Sequence, residues 1–193
     1  AINPSLYSHM SYAPLKDLTG VSQFGHIPLL VVSSAQLPPA NLKDFIAYAK
    51  ANKDKMTFGS AGAGSATHLA CVVANMAMGV DITHVPYRGT GPAMQDLQGG
   101  RIDYLCEIIS TAKPQIDGGS VKPIAIMTKE RSAALPNLPT AAEQGTPMEA
   151  YTWNAIFLPK GTPADIVKKL ADAASQAVDT PAVKERLAAL GAT

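Results

Sequence analysis

The stretch Met56-Thr57-Phe58-Gly59-Ser60-Ala61-Gly62-Ala63-Gly64-Ser65-Ala66-Thr67-His68-Leu69 reads as a short strand, a turn of small residues and the opening turn of an amphipathic helix. Gly59, Gly62 and Gly64 open backbone angles closed to other residues and let a ligand approach the main chain. Ser65 suits the helix N-cap, and Leu69, Val72 and Met76 follow at helical spacing. The first four N–H groups of a helix have no partner within it, and the dipole there is positive. A carboxylate or phosphate is therefore favoured at this point. A tight, ordinarily capped turn fits the same spacing, so the pattern alone leaves both readings open.

The neighbouring segments extend the pattern. Upstream, Asn41 can cap a helix with Leu42, Phe45, Ile46 and Ala49 on one face and Asp44 in its first turn. The helix after the glycine turn runs over 65–78 and stops at Gly79. A strand over 82–85 leads into Pro86-Tyr87-Arg88-Gly89-Thr90-Gly91-Pro92, a second small-residue turn in which Thr90 can cap a helix over 92–98. Next come a strand over 102–109, a helix from Ser110 or Thr111 to Asp117 with Pro114 in its first turn, and a strand over 122–128. Helix and strand alternating with short connections predict an α/β unit with a mostly parallel sheet.

The flanks differ in texture. The apolar run over 26–33 predicts a strand buried on both faces, with Pro28 marking an edge or a kink. After residue 128 come a proline-rich loop, a brief helix over 141–144 and a strand over 153–158. Thr162 then caps, and Pro163 begins, a helix carrying Ile166, Val167 and Leu170, and a last helix over 180–190 stops at Gly191. The chain thus leaves a first lobe (1–34), builds a second (35–128) and returns to the first (129–193), a hinge arrangement whose cleft holds ligands.

Composition narrows the functions. With 47% hydrophobic and 16% charged residues and a net charge of +1, the chain has no electrostatic reason to seek nucleic acid or a membrane surface. No apolar window reaches the length of a membrane span. Cys71 on a predicted helix and Cys106 in a predicted strand lack metal-site spacing. One disulfide is open to them in an oxidising compartment, but two buried free thiols are the expectation. No metal and no cofactor is expected.

In a parallel sheet the turns at 60–65 and 87–90 and the strand end at 107–110 share one edge, where ligands bind. Helix termini there would hold an anion without Arg or Lys. His68 fits either a base or a local hydrogen bond in the first helical turn, and His84 a core or cross-strand position. Glu107 fits either an acceptor for a ligand amine or hydroxyl or a cap on a neighbouring helix. No serine sits in a GxSxG elbow, Gly62-x-Gly64-x-x-Thr67 falls short of GxGxxG, and no nucleophile–base pair is evident, so no catalysis is expected. Trp153, near a strand start, fits either the wall of the cleft or the core, and the core is the expectation.

With these residues in order, Phe58-Gly59-Ser60-Ala61-Gly62-x-Gly64-Ser65-x-x-His68-Leu69-Ala70, His84-Val85-Pro86-Tyr87-Arg88-Gly89-Thr90-Gly91-Pro92-Ala93 and Leu97-x-Gly99-Gly100-Arg101-Ile102-Asp103 resemble the substrate-binding proteins of tripartite tricarboxylate transporters, the Bug or TctC family. Lys129-x-Arg131-Ser132-x-x-Leu135-Pro136-x-x-Pro139-Thr140 and Pro159-x-Gly161-Thr162-Pro163 continue the likeness, as do Asn3-Pro4-Ser5-Leu6-Tyr7 and Leu190-Gly191-Ala192. The resemblance implies a periplasmic-binding-protein-like, type II "Venus flytrap" with two α/β lobes, the second complete and the first partial. It implies a periplasmic receptor that captures a small di- or tricarboxylate, or an aromatic carboxylate, for a membrane permease and does no chemistry on it. It places Ser60, Ala61, Gly62, Gly64, Ser65 and His68 on one binding loop and Tyr87, Gly89 and Thr90 on the next. Where the family commonly has Phe-Asp, this chain has Cys106-Glu107, which reaches one methylene further. Relatives also begin earlier and end later, so the chain is expected to be truncated at both ends and to associate through its incomplete first lobe. The other reading of the architecture is the effector-sensing domain of a transcription regulator.

Overall fold

A computed structural model describes residues 3–192. The chain opens with two single-turn helices, α1 (Asn3–Leu6) and α2 (Pro14–Asp17), and then a strand of 17 residues, β1 (Leu18–Ser34). There follow α3 (Leu42–Asn52), β2 (Thr57–Ser60), α4 (Ala66–Met78), β3 (Thr83–Pro86), α5 (Thr90–Gln98) and β4 (Tyr104–Ile108). The order closes with α6 (Ile109–Asp117), β5 (Val121–Ile126), β6 (Tyr151–Pro159), α7 (Ala164–Asp179) and α8 (Pro181–Ala189). None of the described helices is long and apolar enough to cross a membrane.

Two compact units share the chain: Ile27–Thr152, and the residues through His26 together with those from Trp153 on. The first is wider at both ends than the segment 35–128 expected from sequence. The second half of β1 lies inside its sheet, and the Ala150 N–H donates to the Met127 carbonyl while the Leu29 N–H donates to Ala150. These bonds hold residues 27–34 and the return segment in the same unit.

Its sheet runs β3-β2-β4-β1-β5. β2 is parallel to β3 and β4, whereas β1 is antiparallel to both β4 and β5. Four strands therefore run one way around a single reversed strand, where the sequence pattern predicts only a mostly parallel sheet. The apolar run of β1 is continuous because both its faces are covered. Leu29 and Val31 join Phe45, Phe58 and Tyr104 in one core cluster; Leu30 and Val32 join Leu97, Leu105 and Ile109 in the other. Pro28 lies within β1, an interior strand rather than an edge, one residue before the first pair with β4, Leu29 with Ile108. Its missing N–H therefore costs no bond of that ladder.

Local signals set most helix ends. The Asn41 side chain accepts from the Asp44 N–H, Ser65 does the same for His68, and Gly79 ends α4 in the left-handed conformation. Other expectations need correction. Gly89, not Thr90, is the N-cap of α5, and Thr162 donates its hydroxyl to the Pro159 carbonyl instead of capping α7. Pro114 is the sixth residue of α6, and residues 141–145 form hydrogen-bonded turns rather than a helix.

Cys71 and Cys106 are not free thiols: they form a disulfide with a Cα–Cα distance of 5.2 Å. Both side chains belong to the cluster of Phe45 and Tyr104, where the inward face of α4 lies on β4. The Tyr104 hydroxyl donates to Asn75 on the same helix, so two links bind α4 to β4. In the other unit, β6 pairs with β1. Trp153 there is 43% exposed, against the expected core position, and lies beside Phe157 with ring centroids 6.1 Å apart.

Candidate functional site

Parallel β2, β3 and β4 bring their carboxyl ends, and the turns that follow, to one edge of the sheet. The glycine turn leaves β2 at Ser60, whose side chain is fully buried. Ser60 Oγ lies 2.7 Å from His84 Nε2, accepts the Gly62 N–H at 3.0 Å and lies 3.1 Å from the Gly62 carbonyl oxygen. Gly62 (φ 120°) and Gly64 (φ 75°) occupy backbone regions that strain any other residue. A Cβ at Gly62 would also lie 3.3 Å from the Tyr87 carbonyl oxygen.

Much of the turn is satisfied internally. The Ala61 N–H donates to Thr67 Oγ1 at 2.9 Å, the Gly64 N–H to His68 Nδ1 at 3.0 Å, and the Ser65 N–H to the Gly62 carbonyl at 3.1 Å. Ser65 Oγ accepts the His68 N–H at 3.2 Å. Ala63 and Ala66 are exposed, and among the described residues their N–H groups have no acceptor. Ala66 is the first residue of α4, where no acceptor within the helix exists. Neither alanine was singled out from sequence. The side chains of Thr67 and His68 folding back onto the turn decide which donors remain open.

His68 and His84 stack with ring centroids 4.0 Å apart, and His84 stacks on Phe58 at 4.8 Å. Burial first, and the neighbouring His68 second, lower the His84 pKa below its ordinary value. The Ser60–His84 contact is a hydroxyl–imidazole pair that sequence reasoning missed. It does not make a nucleophile. Ser60 Oγ is sealed from solvent and engaged with the turn, and among the described residues no carboxylate orients His84.

The second turn is tied to the first by the Tyr87 N–H donating to the Ser60 carbonyl at 3.0 Å. The Tyr87 hydroxyl donates to Asp96 at 2.8 Å, and Asp96 also receives Arg101 at 2.7 Å. Burial, then Asp96, push the Tyr87 phenol up to about 12. Gly89 has φ 111° with open space where a Cβ would stand, and Thr90 begins α5. Arg88 in this turn is exposed and, among the described residues, forms no ion pair.

Glu107 is the penultimate residue of β4, with 1% of its surface exposed. Its Oε1 accepts from the Ile108 N–H and the Thr111 hydroxyl, both at 2.8 Å. Its Oε2 is buried and accepts nothing; the nearby Thr90 hydroxyl favours the carboxylate without completing a hydrogen bond to it. Burial outweighs these contacts and raises the pKa. Glu107 lines a cavity of about 330 Å³ together with residues of α5 and α6, Thr90 and Thr111 among them. Among the described residues no cluster of His, Cys, Asp or Glu is placed to hold a metal ion.

Co-directional strands around one reversed strand, with glycine turns at their carboxyl edge, are the mixed α/β fold of the periplasmic-binding-protein class. The chain belongs to the tripartite tricarboxylate transporter family receptors, or TctC, whose model matches residues 1–193. An Agrobacterium vitis relative, a UPF0065 protein of the TAR-I ttuE–ttuC' intergenic region, is 39% identical over 97% of this chain and 54% of its own length. MatC (Rpa3494) from Rhodopseudomonas palustris, solved with malate, is 39% identical with a TM-score of 0.88 over 98% of this chain and 65% of that one. R. palustris Rpa4515, solved with adipate, is 32% identical with a TM-score of 0.90 over 96% of this chain and 62% of that one. The chain thus spans little more than half of its curated relative and under two thirds of these solved chains. The family's members are binding receptors rather than enzymes.

Proposed function

We propose that this chain belongs to an extracytoplasmic receptor that captures a small dicarboxylate and hands it to a membrane permease of the tripartite type. The observation that carries the reading is the turn from Ser60 to Ala66. It is nearly saturated internally, and at the exposed residues Ala63 and Ala66, on the positive end of α4, it leaves two N–H groups without an acceptor among the described residues. A ligand carboxylate would take those donors. The small residues Ala61, Gly62, Gly64 and Ser65 let it approach, while Ser60 and His68 hold the turn in shape. Tyr87, Gly89 and Thr90 would form the adjoining wall, with Arg88 as the nearby cation and Glu107 below. Malate in MatC and adipate in Rpa4515 support a dicarboxylate.

The Cys71–Cys106 bridge supports an oxidising compartment, hence a receptor outside the cytoplasm rather than a regulator's sensing domain within it. The test is a thermal-shift screen of the full-length gene product against C4–C8 dicarboxylates, citrate, amino acids and aromatic carboxylates. A dicarboxylate at about a hundredfold its Kd is expected to stabilise the fold by roughly 2.7 kcal/mol. A cooperative melt that no panel member moves would overturn the reading.

A further inference from the structure

One side chain of the glycine turn is committed to a single charge state. Nδ1 of His68 accepts the Gly64 N–H at 3.0 Å, so that nitrogen carries no proton and the ring's hydrogen sits on Nε2. Gly64 stands between Ala63 and Ala66, the residues whose N–H groups have no acceptor among those described. Its φ of 75° sets the course of the chain from one to the other. An imidazolium has a hydrogen on both nitrogens and accepts nothing. A proton on Nδ1 would set two donors face to face, and either the ring or the turn would have to move.

The surroundings direct a proton to that nitrogen. His84 of β3 stacks on the ring with centroids 4.0 Å apart, so two positive charges in the stack would repel. Burial, then the neighbouring His68, depress the pKa of His84, which leaves Nδ1 of His68 to take up the proton. The other elements packed here bring no counter-charge. β2 contributes Phe58 and the Ser60 hydroxyl, and behind Phe58 comes Tyr104 of β4, whose hydroxyl is given to Asn75. In the second turn the Tyr87 hydroxyl is given to Asp96, which Arg101 also meets, and Arg88 is exposed. Among the described residues no Asp, Glu, Lys or Arg is hydrogen-bonded or ion-paired to either imidazole.

We infer that His68 is a positioning residue of the binding turn and acts only as the neutral Nε2–H tautomer, so that a proton on Nδ1 frees the Gly64 N–H and weakens capture of the solute. The inference rests on the receptor reading and goes beyond it by tying affinity to the charge state of one imidazole. The expected sign is the reverse of simple attraction, in which a new positive charge would draw a carboxylate in.

Two measurements on the full-length gene product test this. Nitrogen NMR of the histidine rings at about pH 8 should show the Nε2–H tautomer at His68. An Nδ1–H tautomer would overturn the inference with no solute present. Calorimetric titration with malate and adipate between about pH 8 and 5.5 should show the wild-type Kd rising about 10-fold relative to that of His68→Asn on acidification. Asn places Oδ1 where Nδ1 stands, accepts the Gly64 N–H and does not titrate, whereas Gln carries its amide one atom further out. His68→Asn should therefore bind about 10-fold more tightly than His68→Gln at the upper pH, although both lose the stack on His84. Ionisation of the solute is common to all three proteins. Should a variant fail to fold, the tautomer of the wild type still decides. A ratio of wild type to His68→Asn that stays flat or moves the other way, or Asn no better than Gln, would overturn the positioning role and leave the receptor standing. Binding of no acid in the panel would bring down both.

Discussion

The unit Ile27–Thr152 and the rest of the chain use the same kinds of element to opposite effect. The first packs a sheet between two clusters of buried side chains. Outside it, Ala174 is the one buried apolar residue among those described. There Leu15 is 91% exposed, while Trp153, Phe157, Ile166 and Leu170 each show about two fifths of their surface. The helix α7 has an apolar stripe more pronounced than that of α3, yet α7 buries only Ala174 among the described residues, whereas α3 buries Leu42, Phe45 and Ala49. Amphipathic periodicity forms a helix but stabilises a fold only where the stripe finds a surface. Stability, and the candidate site with it, therefore belong to the unit Ile27–Thr152.

Matched truncations on either side of this divide should show the largest contrast. Phe45 is fully buried, with its ring edge-on to Tyr104 at 5.3 Å. Phe45→Ala is expected to cost about 3–5 kcal/mol in denaturant unfolding. Ile166→Ala, at a position 45% exposed, should cost less than about 1 kcal/mol. Equal costs would erase the contrast.

The disulfide gives the next effect. It closes a sequence separation of 35 residues and ties α4, which carries the glycine turn, to β4, which carries Glu107. Replacing both cysteines by serine should destabilise the protein by roughly 2–4 kcal/mol, read from the same denaturant curves. It should also weaken carboxylate binding, since the two halves of the candidate site would lose their fixed spacing. Unchanged stability in the double variant would show that packing and the Tyr104–Asn75 hydrogen bond suffice to hold α4 on the sheet.

Legibility in the sequence follows the range of each interaction. Asn41, Ser65 and Gly79 act within a few residues, so the ends of α3 and α4 are readable in the order of amino acids. The motifs running from Asn3 to Ala192 likewise identify the family that the full-length match returns. The reversal of β1 is not readable, because an apolar run looks the same in either direction and only its neighbours β4 and β5 orient it. Cys71 and Cys106 fall on the right elements by periodicity. Their pairing depends on α4 lying over β4, a fact of topology. Glu107 fits two roles from sequence because the contacts of its carboxylate are set by the fold, where Oε1 takes the Ile108 N–H and the Thr111 hydroxyl. The open donors at Ala63 and Ala66 emerge only once Thr67 and His68 are seen bonding back to the turn.

The smallest expected effect is a pH dependence in the same unit. His84 is held against Phe58, His68 and Ser60, and burial followed by the neighbouring imidazole depresses its pKa from 6.5. Below pH 6.5 the unfolded chain takes up a proton that the folded one resists, so acidification favours unfolding. The contribution is complete above 6.5 and is lost as pH falls toward the folded-state pKa. Glu107, with its pKa raised, works with the opposite sign, so wild-type stability alone would mix the two. The difference between wild type and His84→Gln isolates the imidazole, because Glu107 is common to both. That difference, measured by urea unfolding between pH 7.5 and 5, should move against the wild type on acidification. A flat difference would mean that the folded turn accepts the imidazolium as readily as water does, and that the His68–His84 stack places no electrostatic load on the glycine turn.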